Sequence, residues 1–126
     1  MSETTEVRDK LRNTPAVTAV VGTYEGAPAI FGRPVAPDGY DEDIITMYLS
    51  VPTQGGLEYG NFGITVNNYS NDYARAQNMQ KVVFDTLNRR SGDNDAFFLC
   101  SKLPIIPSGS TGDDYNAPVE VLVRRR

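Results

Sequence analysis

A few residues in this sequence have the types and spacing that could do chemistry. Asp41, Glu42 and Asp43 set three carboxylates in a row, the ligands that magnesium and calcium take. Neighbours in an extended segment point to opposite sides, so the three converge poorly and read as a solvated acidic turn. Pro37-Asp38 would open a Pro-Asp…acid-x-Lys nuclease pattern, but Glu58 is followed by Tyr59 and Gly60, without the lysine. Cys100, the sole cysteine, lies in the apolar run AFFLCSK and reads as a small core residue, because a reactive thiol needs a basic, partly exposed setting. Gly55-Gly56 and the glycines at 109 and 112 do not sit between a strand and a helix N-terminus with a lysine, as a phosphate cradle requires. There is no histidine, so a Ser–His or Cys–His nucleophilic site cannot be built within the chain. The enzyme reading that remains is a metal-carboxylate hydrolase on Asp41, Asp43 and Glu58. The weight falls against it, and no catalytic, cofactor or metal residue is expected.

The bulk numbers describe what must carry any site. The 126 residues are 40% apolar and 22% charged, which suits one globular domain spanning residues 1–126. No apolar run approaches the ~20 residues of a membrane-spanning helix, and the opening MSETTEVRDKLRN lacks the apolar stretch of a secretory signal. Cytosolic synthesis and folding are expected. Net charge is −4, and Arg124, Arg125 and Arg126 supply three of the 12 basic residues. The rest of the chain holds nine basic against 16 acidic residues. So acidic a body argues against wrapping nucleic acid.

Periodicity places the elements. Residues 4–13 read as a short helix with Val7 and Leu11 on one face. Thr14-Pro15 looks like an N-cap followed by proline at the first helical position, and Gly22 is placed to end the second helix in a left-handed conformation. Residues 27–34 form a ragged first strand, followed by a Pro37-Asp38-Gly39 turn. Residues 44–51 alternate, with Ile45, Met47, Leu49 and Val51 on the buried face, and pair as a hairpin with 62–69 across a glycine-rich connection. Ser70 or Asn71 caps a helix of about twenty residues, as the spacing implies. Tyr73, Ala76, Met79, Val83 and Leu87 face the core, Phe84 widens that face, and Arg75, Gln80, Lys81 and Asp85 face water. Arg89 and Arg90 are expected in its last turn. Residues 96–102 form a fourth strand, 104–116 a loop, and 119–124 a closing strand. The fold class is α+β: a mostly antiparallel sheet of about five strands, with one long and one or two short helices packed on one face. Seven of the 12 aromatics are tyrosines, most in or beside loops and polar strand faces, which favours a protein that binds proteins.

The segment LRNTPAVTAVVG (11–22), the helix ARAQNMQKVVFDTLN (74–88) and the terminal strand PVEVLVR (118–124) together resemble the tail-terminator, or tail-completion, proteins of long-tailed bacteriophages. The resemblance spans most of the chain and its motifs are structural. It implies a virion protein at the head–tail junction, made in the bacterial cytoplasm. Six copies would form a homo-hexameric ring that caps the head-proximal end of the tail tube and stops its elongation. The ring would dock the head connector and let genome DNA pass through its lumen without specific binding. Gln54, Leu57, Glu58 and Tyr59 in one connection, Asp113 and Tyr115 in another, and the Arg124–Arg126 tail are the expected contacts with neighbouring proteins. The arginine tail is either a solvated end or a charge partner for an acidic neighbour. A head–tail connector, neck or minor tail protein is the alternative within the same assembly. A small ligand-binding or regulatory α+β domain is the alternative outside it.

Overall fold

In the computed structural model, residues 3–32, 43–50, 62–88, 97–108 and 114–124 are described. Helix α1 (Glu3–Arg12) leads into a single turn, α2 (Pro15–Thr18), then three two-residue strands, β1 (Thr23–Tyr24), β2 (Ala27–Pro28) and β3 (Ile30–Phe31). Strands β4 (Ile44–Ser50) and β5 (Phe62–Ser70) precede helix α3 (Tyr73–Leu87), and β6 (Phe97–Lys102), β7 (Ile106–Ser108), β8 (Asp114–Asn116) and β9 (Val119–Arg124) complete the order.

The main sheet has five lanes. β3 lies parallel to β4, β4 and β5 form the expected antiparallel pair, and β5 is flanked by β9 along one half and β8 along the other. β6 pairs with β9, and β7 with β8. The pairs Val66↔Val119 and Tyr69↔Asn116 keep one register, so β8 and β9 are one lane interrupted at Ala117-Pro118. Lys102 faces Val119 but Ile106 faces Asn116, so three residues oppose two and the outer lane bulges at 103–105. Pro118 lacks an N–H, and Pro104 and Pro107 do too, which is why the ladder breaks there. The segment 104–116, expected to be a loop, thus holds two short strands.

Register also fixes the core. Ile30, Ile45, Met47, Ile64, Val66, Val119, Val121, Val123 and Phe98 share one face of the sheet, and all are buried. The helices pack on that face: α1 against β3 and β4, α3 against β5, β6, β8 and β9, and α2 between the other two helices. Val7 and Leu11 of α1, Val17 of α2, and Met79, Val83 and Leu87 of α3 complete the cluster. Each fully buried aliphatic side chain contributes about 1.5–3 kcal/mol. Arg12 ties α1 to the edge of the sheet by donating twice to the Ile30 carbonyl, at 3.1 and 2.7 Å.

Several local expectations are corrected. Thr14 sits at the N-cap position of α2, but its hydroxyl donates to the Lys10 carbonyl at 2.8 Å and caps nothing. The left-handed residues are Glu25 (φ 50°) and Gly26 (φ 81°), which close the two-residue turn between β1 and β2. Gly22 instead donates to the Asp43 carbonyl and accepts from Ala29 N–H, lacing α2's exit to the sheet. The α3 cap is Asp72, which accepts from Arg75 N–H at 3.1 Å, while Ser70 accepts from Asp72 N–H. The helix ends at Leu87 with Asn88 as its C-cap, and Arg89 and Arg90 lie outside the described residues. Tyr73 is half exposed, edge-on to Tyr115. Leu49, on the core face by register, is 56% exposed.

Gln80 is the largest departure. It is buried, and its amide N–H groups donate to the Leu103 and Pro118 carbonyls at 2.8 and 2.9 Å. Replacing Gln80 with alanine leaves both carbonyls without that donor and should cost about 1–3 kcal/mol, read as a lower urea midpoint. Val83→Asp or Leu87→Asp should leave the chain unfolded by circular dichroism, since an unpaired carboxylate would enter the core; a folded Val83→Asp protein would contradict the helix face described.

Candidate functional site

Two surfaces combine recognisable chemistry with a defined position. The first is a cleft of about 610 Å³ between the exit of α2 and the first turns of α3. Val20, Val21 and Gly22 form one wall, and Asn71, Arg75 and Asn78 the other, with Asp43 at the start of β4. The Asx cap at Asp72 starts α3 so that Arg75 and Asn78, three apart, look outward together. Arg75 Nη2 donates to Asn71 Oδ1 at 2.6 Å, and Arg75 Nε lies 3.6 Å from Asp43 Oδ2. The guanidinium is 58% exposed, so this ion pair is worth no more than about 1 kcal/mol. One carboxylate paired with one guanidinium makes a surface that accepts and donates hydrogen bonds.

The second surface is the face of the sheet opposite α1, α2 and α3. Thr46, Thr65 and Asn67 line it and are nearly buried, and Asn116 Nδ2 donates to Asn67 Oδ1 at 3.0 Å. Asn116 Oδ1 is buried without a hydrogen-bond partner among the described residues. Toward the outer end of β4 this face opens to Tyr48, which is 41% exposed. Burial raises the pKa of the Tyr69 hydroxyl on the same face.

The sequence-expected contact residues divide sharply. Gln54, Leu57, Glu58, Tyr59, Asp113, Arg125 and Arg126 lie outside the described residues, as do Asp41 and Glu42. Tyr115 lies in β8, half-buried, with its ring 5.5 Å from that of Tyr73. Arg124 ends β9, opposite Phe97. The two named residues that are described thus stand at opposite ends of the sheet and form no single site. Asp43 Oδ2 lies 3.6 Å from Arg75 Nε, and among the described residues no three His, Cys, Asp or Glu side chains gather as metal ligands. The residues that sequence reasoning passed over are Gln80 and Asn68. Gln80 lies at steps of four and three from Ala76 and Val83, inside the apolar stripe, and that position was the available signal.

Cys100 is half-buried against the core, and its N–H donates to Asn88 Oδ1 at 3.0 Å. Burial pushes its thiol up to about 12.

No protein-family model matches the sequence, and no curated protein matches it either. The fold does match that of a chain in a solved structure described as the virion of a native gene transfer agent particle. The TM-score is 0.74 over 98% of this chain and 93% of that one, at 13% identity, so the likeness is one of fold. Among the described residues no helix is long and apolar enough to cross a membrane.

Two outcomes test this description. Alkylation of Cys100 in the folded protein should stay slow through pH 9 and rise only toward pH 12, whereas the urea-unfolded chain should react near pH 9. Because folding raises the pKa, protein stability should be unaffected by this thiol below pH 9 and should decline as pH rises from 9 toward 12.

Proposed function

We propose that this chain is a structural virion subunit, a tail terminator whose copies close into a hexameric ring on the head-proximal end of a phage-like tail tube. The observation that carries the reading is the end-to-end fold likeness to a virion component of similar length, which agrees with the sequence resemblance. The residue inventory is compatible with this: the chain has no histidine. The ring would stop tube growth, present a surface to the head connector and give passage to DNA, for which a chain of net charge −4 is suited because it does not grip phosphate. A head–tail connector or neck subunit is the second reading, since the fold likeness favours neither position over the other.

The test is tube growth. Purified tube protein polymerising in the presence of this chain should give short tubes with one capped end under the electron microscope. Tubes of unlimited length with bare ends would overturn the terminator reading, and binding only to isolated connector would favour the neck subunit. Deleting residues 54–58 should leave the far-ultraviolet spectrum unchanged while abolishing capping; full capping by that variant would remove the connection from the contact surface.

A further inference from the structure

Both lateral edges of the sheet are open at one level. On the β4 side, β3 pairs only with Ile45 and Thr46, so among the described residues 47–50 have no strand beside them. On the far side, β6 is paired with β9 alone among the described residues. The ladder puts these segments in common rows: Leu49–Ile64–Val121–Cys100, Met47–Val66–Val119–Lys102, and between them Tyr48–Thr65–Glu120–Ser101. The remainder of the far edge, β7, carries Pro107, and Pro104 precedes it, so two main-chain donors are missing from that stretch.

The direction of the main-chain groups agrees. Ile45 N–H donates to Ala29 on the β3 side, so Met47 and Leu49, at steps of two, aim their N–H and C=O groups at the open edge. Ala117 N–H donates to the Asn68 carbonyl and Leu103 N–H to the Pro118 carbonyl, which sets the alternation across the sheet and leaves Phe98, Cys100 and Lys102 facing outward on β6. Cys100 N–H is accordingly met by the Asn88 side chain and not by β9. Each step from β4 through β5 and β9 to β6 is antiparallel, so β4 and β6 run in opposite directions.

We propose that copies of this chain join edge to edge, residues 47–50 of β4 pairing antiparallel with β6 of the next copy, Leu49 opposite Cys100 and Met47 opposite Lys102. This inference rests on the ring reading and names its contact. The two edges differ, so the contact is head-to-tail and closes by rotation, as a ring requires. It also accounts for Leu49. That side chain lies exposed on the helix-bearing face, and β6 of the neighbour brings the C-terminal end of α3, where Phe84 already lies under Lys102 at 4.9 Å. In the isolated chain Asn88 occupies the Cys100 N–H; in the pair the Leu49 carbonyl replaces it.

Tyr48 and Ser101 become opposite neighbours on the face opposite α1, α2 and α3, and both are exposed in the single chain. In a Cys100→Ala background, Tyr48→Cys with Ser101→Cys should give, on mild oxidation of the assembled full chain, an intermolecular 48–101 disulfide and a ladder of up to six linked copies; opposite residues in an antiparallel pair lie within disulfide reach. Tyr48→Cys alone should give no ladder. Dimers linked 48–48 would overturn the proposal in favour of a two-fold contact. Rings seen by electron microscopy in which 48 and 101 stay unlinked would overturn the edge pairing and leave the ring reading standing. Absence of rings alone and on tubes would overturn both. In the unmodified protein, the Met47, Leu49 and Lys102 amides should exchange at least tenfold more slowly in the assembled form than in the monomer, and equal rates in the two forms would likewise overturn the pairing.

Discussion

The fold depends on how one ladder defect is closed. The outer two lanes of the sheet break at the same level, at 103–105 and at Ala117-Pro118. A broken ladder under a helix leaves carbonyls turned into an apolar layer, where an unmet acceptor costs about 1–3 kcal/mol. Two amide side chains meet them. Gln80 descends from α3 to Leu103 and Pro118, and Asn68 on β5 donates its side-chain N–H to the Ala117 carbonyl at 2.7 Å while its main-chain carbonyl accepts from Ala117 N–H. The long helix is thereby fixed to the sheet by directed bonds as well as by Met79, Val83 and Leu87. Apolar packing alone would tolerate some sliding; these bonds set α3's position along the strands.

That arrangement explains the uneven covering of the sheet. With α3 held over β5, β6, β8 and β9, and α1 held over β3 and β4 by Arg12, the described helices leave Leu49 at the outer end of β4 exposed. Leu49 and Tyr48 are exposed there, at the same level as the unpaired side of β6. The bulge and prolines close the rest of that edge to pairing. The open segments are therefore consequences of where the defect was placed, and they lie where a second copy can use them.

The architecture was largely legible in the sequence. Strict alternation over residues 44–51 and 62–69, and the three–four spacing from Ala76 to Leu87, each reflect one buried face and so announced β4, β5 and α3 directly. The short strands were hidden because proline and glycine at 104–112 mimic a loop; only the partner lane reveals that β7 and β8 pair. Glutamine is usually exposed, which points Gln80 to water, whereas its position in the apolar stripe decides its fate. Glycines favour a left-handed turn, which points to Gly22, but the tight turn forms at Glu25-Gly26. Alternation points Leu49 to the core, because it reports the face a residue takes and not whether another element covers it. The candidate contact residues were poorly legible, since tyrosines and loops mark many surfaces and carry no spacing that singles one out.

The functional account joins a fold shared with a virion component to a sheet whose two unlike edges are open at one level. Its central claim is that the chain works as a closed ring. The most direct measurement is the mass of the purified protein across a concentration series, with electron microscopy of the largest species and of tail-tube ends to which the protein has been added. The account predicts a six-subunit ring with a central opening, formed in solution or on the tube end. A protein that stays monomeric throughout the series and leaves the tube ends bare would contradict it.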